Sequence, residues 1–331
     1  MKLPSPELPA PLAAAIEARL EGRSGRALRD SARQLSERYR ARRPTRETIR
    51  DETDALAYAA TRMPATYAAI VTALGRLREE RPDFAPRRML DVGCGLGAAS
   101  YAAGEVWPTI AEIALVDRSA LFLDIATGLM QECGVAAVEA TLADFAEPFA
   151  VEDSTFDLVV VGYALTEIAE SALPAIVDRL WACAGDALVI VEPGTPRDYA
   201  RLMAVRNRLI TLGASILAPC PHQAPCPLPA NDWCHFSVRL PRRRTHRLVK
   251  AVDASFEDEK FAYLAAGRLP GSAASARIIA PPRVSKAGAS LKLCADKAFQ
   301  ETFIPKRDKA RYEKVRKKNW GDPLRAPAEE M

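Results

Sequence analysis

Five short apolar runs, set apart by helix-length stretches between residues 88 and 192, limit what this chain can fold into more than any other feature. The runs occupy 89–92, 113–117, 137–142, 156–161 and 187–191, and the spacing predicts helices over 97–107, 119–132 and 167–183. Parallel strands need a crossover to regain the same end of a sheet, so this alternation predicts a doubly wound, parallel α/β core. Thr195-Pro196 supplies a hydroxyl cap and a first-turn proline for one more helix, expected to run to about residue 217. The core is therefore expected over residues 88–218.

Residues 1–87 read as a helical region. Leu8, Leu12, Ile16 and Leu20 recur every four positions, Leu28, Leu35 and Tyr39 form a stripe after Ser24, and Tyr67, Ile70, Val71, Leu74 and Leu77 follow Pro64. Downstream, residues 219–305 combine a cysteine-bearing loop with β-rich pieces at 261–265, 276–279, 290–293 and 298–303, and 306–331 is a basic tail, helical in part. A chain of 331 residues that is 49% hydrophobic can bury a large core, which excludes wholesale disorder and a collagen-like fibre. No run approaches the ~18 apolar residues of a membrane span. The opening Met1-Lys2-Leu3-Pro4-Ser5-Pro6 lacks the apolar stretch of a secretory signal. The expectation is a cytoplasmic protein, without a membrane and monomeric on its own.

The first strand runs into Asp91-Val92-Gly93-Cys94-Gly95-Leu96-Gly97 and then into a helix. Glycines at 93, 95 and 97 permit a tight turn and let a ligand approach bare main chain at a helix N-terminus. A dinucleotide is the rival ligand, but the acids favour S-adenosylmethionine. Asp91 sits where it can hold the amino end of the methionine, Asp117 ends the second strand where ribose hydroxyls are taken, and Asp144 can accept from the adenine amine. Order and spacing resemble the class I methyltransferase signature.

The transfer chemistry itself has no evident residue. The fourth strand ends in Gly162-Tyr163-Ala164-Leu165-Thr166-Glu167, without the Asp/Asn-Pro-Pro-aromatic motif of amine methylation. No thiolate is expected at this edge, and residues 91–200 contain no lysine. The catalytic residue is unassigned.

Cys220, Cys226 and Cys234 fall within fifteen residues of a proline-rich loop, and Cys294 ends a β segment. Thiols so placed organise around a metal more readily than around packing. Zinc sites favour close cysteine pairs, and none is present here. Cys-Pro occurs twice, as around some iron–sulfur ligands, so the spacing favours a four-thiolate [4Fe–4S] cluster, with zinc as the alternative.

Charge is segregated. Residues 1–90 carry net +6, 91–200 net −15 and 201–331 net +13, a polarity suited to a polyanion partner reached through the basic flanks. The stretches 235–250 and 306–318 are the densest in arginine and lysine.

Several segments together resemble a known family. They are Arg62-Met63-Pro64-Ala65-Thr66-Tyr67-Ala68-Ala69, Leu90-Asp91-Val92-Gly93-Cys94-Gly95, Val191-Glu192-Pro193-Gly194-Thr195-Pro196, Cys220-Pro221-His222, Asp232-Trp233-Cys234-His235-Phe236, Tyr263-Leu264, Pro281-Pro282-Arg283, Leu293-Cys294 and Asn319-Trp320-Gly321-Asp322. The chain is similar over nearly its whole length to the Rsm-twenty-two (methyltransferase-like-seventeen) small-subunit ribosome assembly proteins. That resemblance implies a class I methyltransferase fold, a [4Fe–4S] cluster on Cys220, Cys226, Cys234 and Cys294, binding to the small ribosomal subunit and its 16S-type rRNA, and doubtful catalysis. The competing expectation is a methyltransferase of a small molecule or protein with a structural zinc site.

Overall fold

The computed structural model describes residues 3–40, 49–135, 137–149, 155–271, 274–295 and 298–325. Arg42, Arg43 and Arg46 of the basic N-terminal stretch lie outside the described residues, as does the side chain of Tyr39. Four helices come first: α1 (Ala10–Leu20), α2 (Gly25–Arg40), α3 (Glu52–Thr61) and α4 (Met63–Glu80). The core follows as β1 (Arg88–Val92), α5 (Ala98–Val106), β2 (Glu112–Asp117), α6 (Ala120–Glu132), β3 (Val138–Leu142), β4 (Phe156–Gly162), α7 (Leu173–Cys183), β5 (Ala184–Pro193), α8 (Pro196–Thr211) and β6 (Ser215–Ala218). The remainder is β7 (Phe236–Pro241), α9 (Arg244–Lys250), β8 (Phe256–Gly267), β9 (Ala276–Ile278), β10 (Arg283–Val284), β11 (Gly288–Ala295), β12 (Ala298–Pro305), α10 (Lys309–Val315) and β13 (Pro323–Leu324).

The main sheet runs β3-β2-β1-β4-β5-β8-β6, with β1 to β5 parallel and β8 antiparallel to both neighbours. This is the α/β, class I methyltransferase-like architecture expected from the alternation. Alternate strand residues feed two cores, as a pleat demands. Met89, Leu115, Leu158 and Val160 face α1 to α6, whereas Leu90, Val116, Val159 and Val161 face α7 and α8. The N-terminal stripe of Leu8, Leu12, Ile16 and Leu20 is buried in the first of these cores, so α1 packs on the domain.

Two expectations differ from the structure. The helix after Thr195 stops at Thr211, Gly213 takes φ +82°, and β6 begins where helix was expected. The segment 219–305 is not one extension, because β8 lies within the main sheet between β5 and β6. Its first half, Phe256 to Phe261, pairs with β7, and its second half pairs with β5 and β6. What extends beyond the core is the thiol loop with β7 and α9, and a second sheet, β10-β11-β9-β13 with β12 on β11. The second sheet has its own small core, in which Ile278, Leu291, Leu293 and Ile304 meet Tyr312 and Val315 of α10. Among the described residues no helix is long and apolar enough to cross a membrane.

Candidate cofactor cleft and thiol cavity

Gly93, Gly95 and Gly97 adopt φ +65°, +54° and +78°, a region costly for any side chain. At Gly93 a Cβ would fall 2.7 Å from Cβ of Ala164, and at Gly97 2.4 Å from Cε of Met130, but at Gly95 it would meet nothing within 4 Å. Gly95 thus borders open space, as a ligand-facing turn requires.

The acids do not all stand where the sequence reading put them. Asp91 is 1% exposed, and its Oδ2 accepts from both the amide (3.0 Å) and the hydroxyl (2.7 Å) of Ser100. It anchors the first turn of α5, and burial pushes its carboxyl up to about 7. Asp117 ends β2 and accepts from the amides of Gly95 and Ser119, each at 2.8 Å, so it clamps the glycine loop to the second strand. Burial raises its pKa above the usual carboxylate range. Asp144 is half-exposed after β3, accepts from the Ala146 amide at 3.0 Å, and faces Arg118 at 3.8 Å. Arg118 also pairs with Glu167. Since β2 and β4 flank β1, the Arg118–Glu167 pair joins the ends of the two strands on either side of the glycine loop.

At the carboxyl end of β4, Tyr163 holds φ +58°, a strained value for a bulky side chain. Its hydroxyl donates to Glu259 Oε1 at 2.8 Å, the same carboxylate receives both Arg62 amino groups at 2.9 and 3.1 Å, and the guanidinium lies 5.2 Å from the tyrosine ring centroid. Glu192, at the end of β5, accepts from the Leu165 and Thr166 amides, and burial pushes it up to about 8. The polar groups at this edge are thus committed to one another.

The second site is a small cavity lined by all four loop and strand cysteines, Cys220, Cys226, Cys234 and Cys294, together with Tyr199, Met203, Phe236 and Tyr263. The cysteines, though separated by up to 74 positions in the chain, are brought together because β11 pairs with β9 beside the loop that follows β6. Burial pushes the thiols of Cys220 and Cys234 up, and that of Cys294 up to about 12. Among the described residues no group of three or more His, Cys, Asp or Glu is arranged to hold a metal ion.

Arg206, Arg277 and Tyr199, not singled out from the sequence, also stand around this cavity. Arg206, 1% exposed, donates to the carbonyls of His222 and Ala224 at 2.9 and 2.8 Å and so fixes the loop. Arg277, also 1% exposed, sits directly across from Cys294 in the register and donates to Pro219 O, Gly321 O and Glu80. Both guanidiniums pull the Cys220 thiol back toward ionisation. Tyr199 O–H lies 3.0 Å from Cys226 Sγ, and His222 Nε2 3.4 Å from Cys294 Sγ. The Tyr263 hydroxyl is buried without a hydrogen-bond partner among the described residues. The period-two pattern Ala276-Arg277-Ile278 was the available signal for Arg277, since it puts a charge on the face opposite two core residues.

The basic stretch 235–250 is largely neutralised. Arg239 pairs with Asp258 (2.7 Å), and Arg242 and Lys250 with Glu257 (3.1 and 2.8 Å), from the facing part of β8.

The model of a protein family described as mitochondrial small ribosomal subunit Rsm22 matches residues 52–325. The chain belongs to the Rsm22 family. It is 30% identical over 292 residues to the human mitochondrial ribosome assembly protein METTL17, covering 81% of this chain and 62% of that protein. It is 24% identical over 332 residues to the Rsm22-cox11 tandem protein 2, mitochondrial, of Schizosaccharomyces pombe, covering 83% of this chain and 44% of that one. The chain thus spans less than two thirds of either relative's length. Solved structures of similar fold include a magnesium protoporphyrin IX methyltransferase from Synechocystis PCC 6803, 14% identical with a TM-score of 0.41 over 67% of this chain and 88% of that one. Another is a ribosomal protein L11 methylase from Lactobacillus delbrueckii subsp. bulgaricus, 15% identical with a TM-score of 0.37 over 61% and 77%. The cytoplasmic location expected from the sequence is corrected by these Rsm22-family relatives, which are named as mitochondrial and point to mitochondria instead.

Proposed function

We propose that this chain is an rRNA-binding assembly factor of the small ribosomal subunit, with S-adenosylmethionine at the glycine loop and a [4Fe–4S] cluster held by Cys220, Cys226, Cys234 and Cys294. One observation carries the reading: four thiols from distant parts of the chain line one partly buried cavity. Soft thiolates suit iron–sulfur or zinc. Zinc sites favour close cysteine pairs, and the spacing of these four cysteines in the chain favours a cluster. The partnerless Tyr263 hydroxyl and the two buried arginines fit an anionic, sulfur-rich occupant. When bound, the group supplies a covalent cross-link between the loop and the second sheet. The chain's own residues do the rest: Arg206 and Arg277 hold the loop carbonyls, and Trp233 donates to Gly194 O at 3.0 Å, tying the loop to the end of β5.

At the glycine loop, Gly95 would face the methyl donor while Gly93 and Gly97 keep the turn tight, and Asp117 and Asp144 would hold its sugar and base. The mutual commitment of Arg62, Tyr163 and Glu259 at the acceptor edge supports binding without methyl transfer. The test is anaerobic purification with iron and sulfide counts, co-sedimentation with small-subunit precursors over a salt series, and mass mapping of their RNA. Wild-type protein should carry about four irons and bind precursors, and the Cys226→Ser variant should lose iron and binding together. A variant that loses iron yet binds normally refutes the linkage, and a new methylated base would make the protein an enzyme.

A further inference from the structure

We propose that the outer face of the second sheet is a stacking groove for an unpaired RNA nucleotide, with Phe303 as its platform and Arg283 as its phosphate contact. In the register, Arg283 of β10 pairs with Ser290 of β11, and Ser290 pairs with Phe303 of β12. The three therefore form one row on one face, with strand neighbours ~4.8 Å apart, so an aromatic ring and a guanidinium flank a small serine across ~10 Å. The opposite face is taken, because Ala289, Leu291 and Ile304 pack on Tyr312 and Val315.

Phe303 is 53% exposed, although a phenylalanine in a half-buried sheet ordinarily turns inward. Its ring leans over Gly288, where a Cβ would come within 2.8 Å of the ring's Cζ. Glycine there gives the ring a flat seat and leaves its other face to solvent. Charge selects the occupant. Arg283, Lys286, Lys306 and Arg307 make no ion pair among the described residues, and the Lys306 amide N–H donates to Ala287 O in the β10–β11 turn. The acid on this face, Glu301, is opposite Lys292, toward the thiol cavity. An aromatic platform rimmed by free cations is the arrangement that binds single strands, since every base offers a π-face. The same face continues along β11 through Lys292, which bonds Asp232, to Cys294, so the groove and the thiol cavity share one strand.

This inference rests on the rRNA-binding reading and deepens it. The test is fluorescence anisotropy of the full chain with a labelled single-stranded oligoribonucleotide and with a duplex of equal length. Phe303→Ala should weaken single-strand binding roughly 5- to 150-fold, leave duplex binding unchanged, and be rescued by Phe303→Trp. Arg283→Ala should lower the salt slope by about one. Equal affinity of wild type and Phe303→Ala for single strands overturns the groove while leaving the assembly reading intact. Unchanged RNA affinity with lost co-sedimentation assigns the face to a ribosomal protein and also overturns it. Failure of the wild type to bind RNA or precursors at all refutes both.

Discussion

Replacing Tyr263 by phenylalanine tests the thiol cavity in two states of the same protein. The ring sits on β8, 2% exposed, with Phe236 and Phe261 at centroid distances of 5.2 and 5.9 Å, and phenylalanine keeps all of that packing. Only the hydroxyl is lost, and that hydroxyl has no hydrogen-bond partner among the described residues. A buried, unsatisfied polar group costs ~1–3 kcal/mol. Tyr263→Phe should therefore stabilise the chelator-treated protein by about 1 kcal/mol or more in urea unfolding. If the cavity holds a cluster, the hydroxyl gains a sulfur acceptor, and its removal costs roughly 0.5–1.5 kcal/mol and lowers the reduction potential. The two stability changes should carry opposite signs. A change of the same sign and size in metal-free and reconstituted protein would show that the hydroxyl never meets an occupant.

Two further outcomes follow from the cofactor cleft. Gly95→Ala has room for its methyl group and should fold at a cost of about 1 kcal/mol, yet lose S-adenosylmethionine binding in calorimetry, whereas Gly97→Ala collides with Met130 and should unfold at markedly lower urea. Glu192 binds its proton more tightly folded (about 8) than unfolded, so its contribution is full below the ordinary carboxylate range and is lost as pH rises through about 8. Stability should fall between pH 5 and 8 by up to ~1.4 kcal/mol per pH unit for this one proton, and Glu192→Gln should flatten that slope; an unchanged slope in urea titrations counts against the assignment.

The parallel core was legible because each of its strands is a local apolar run and each crossover has its own period. β6 was not, since Ser215 to Ala218 is four residues long and becomes a strand only by pairing with β8, some fifty positions later. α3 is hard to read because Leu56 is the one large apolar residue among its buried positions, the others being mainly Ala55, Ala57, Ala59 and Ala60, which give little contrast in an alanine-rich helix. The four cysteines could be picked out by type and loop context, but their convergence depends on the register that puts Cys294 across from Arg277. Likewise the arginines at 239 and 242 look free in sequence, and only the β7–β8 pairing supplies Asp258 and Glu257. The bond from Ser100 to Asp91, nine positions apart, is likewise invisible to a motif.

The placement of β8 governs how this polypeptide can be cut. A fragment ending near residue 255 would contain every segment around the glycine loop, yet leave β5 with a bare flank of Val189, Ile190 and Val191 and nothing for β6 to join. Such a flank invites pairing between molecules. Any attempt to express the cleft alone must therefore join residues 261–267, the half of β8 that pairs with β5 and β6, back on after β6, which makes the cysteine-bearing loop removable in principle while the strand that follows it is not.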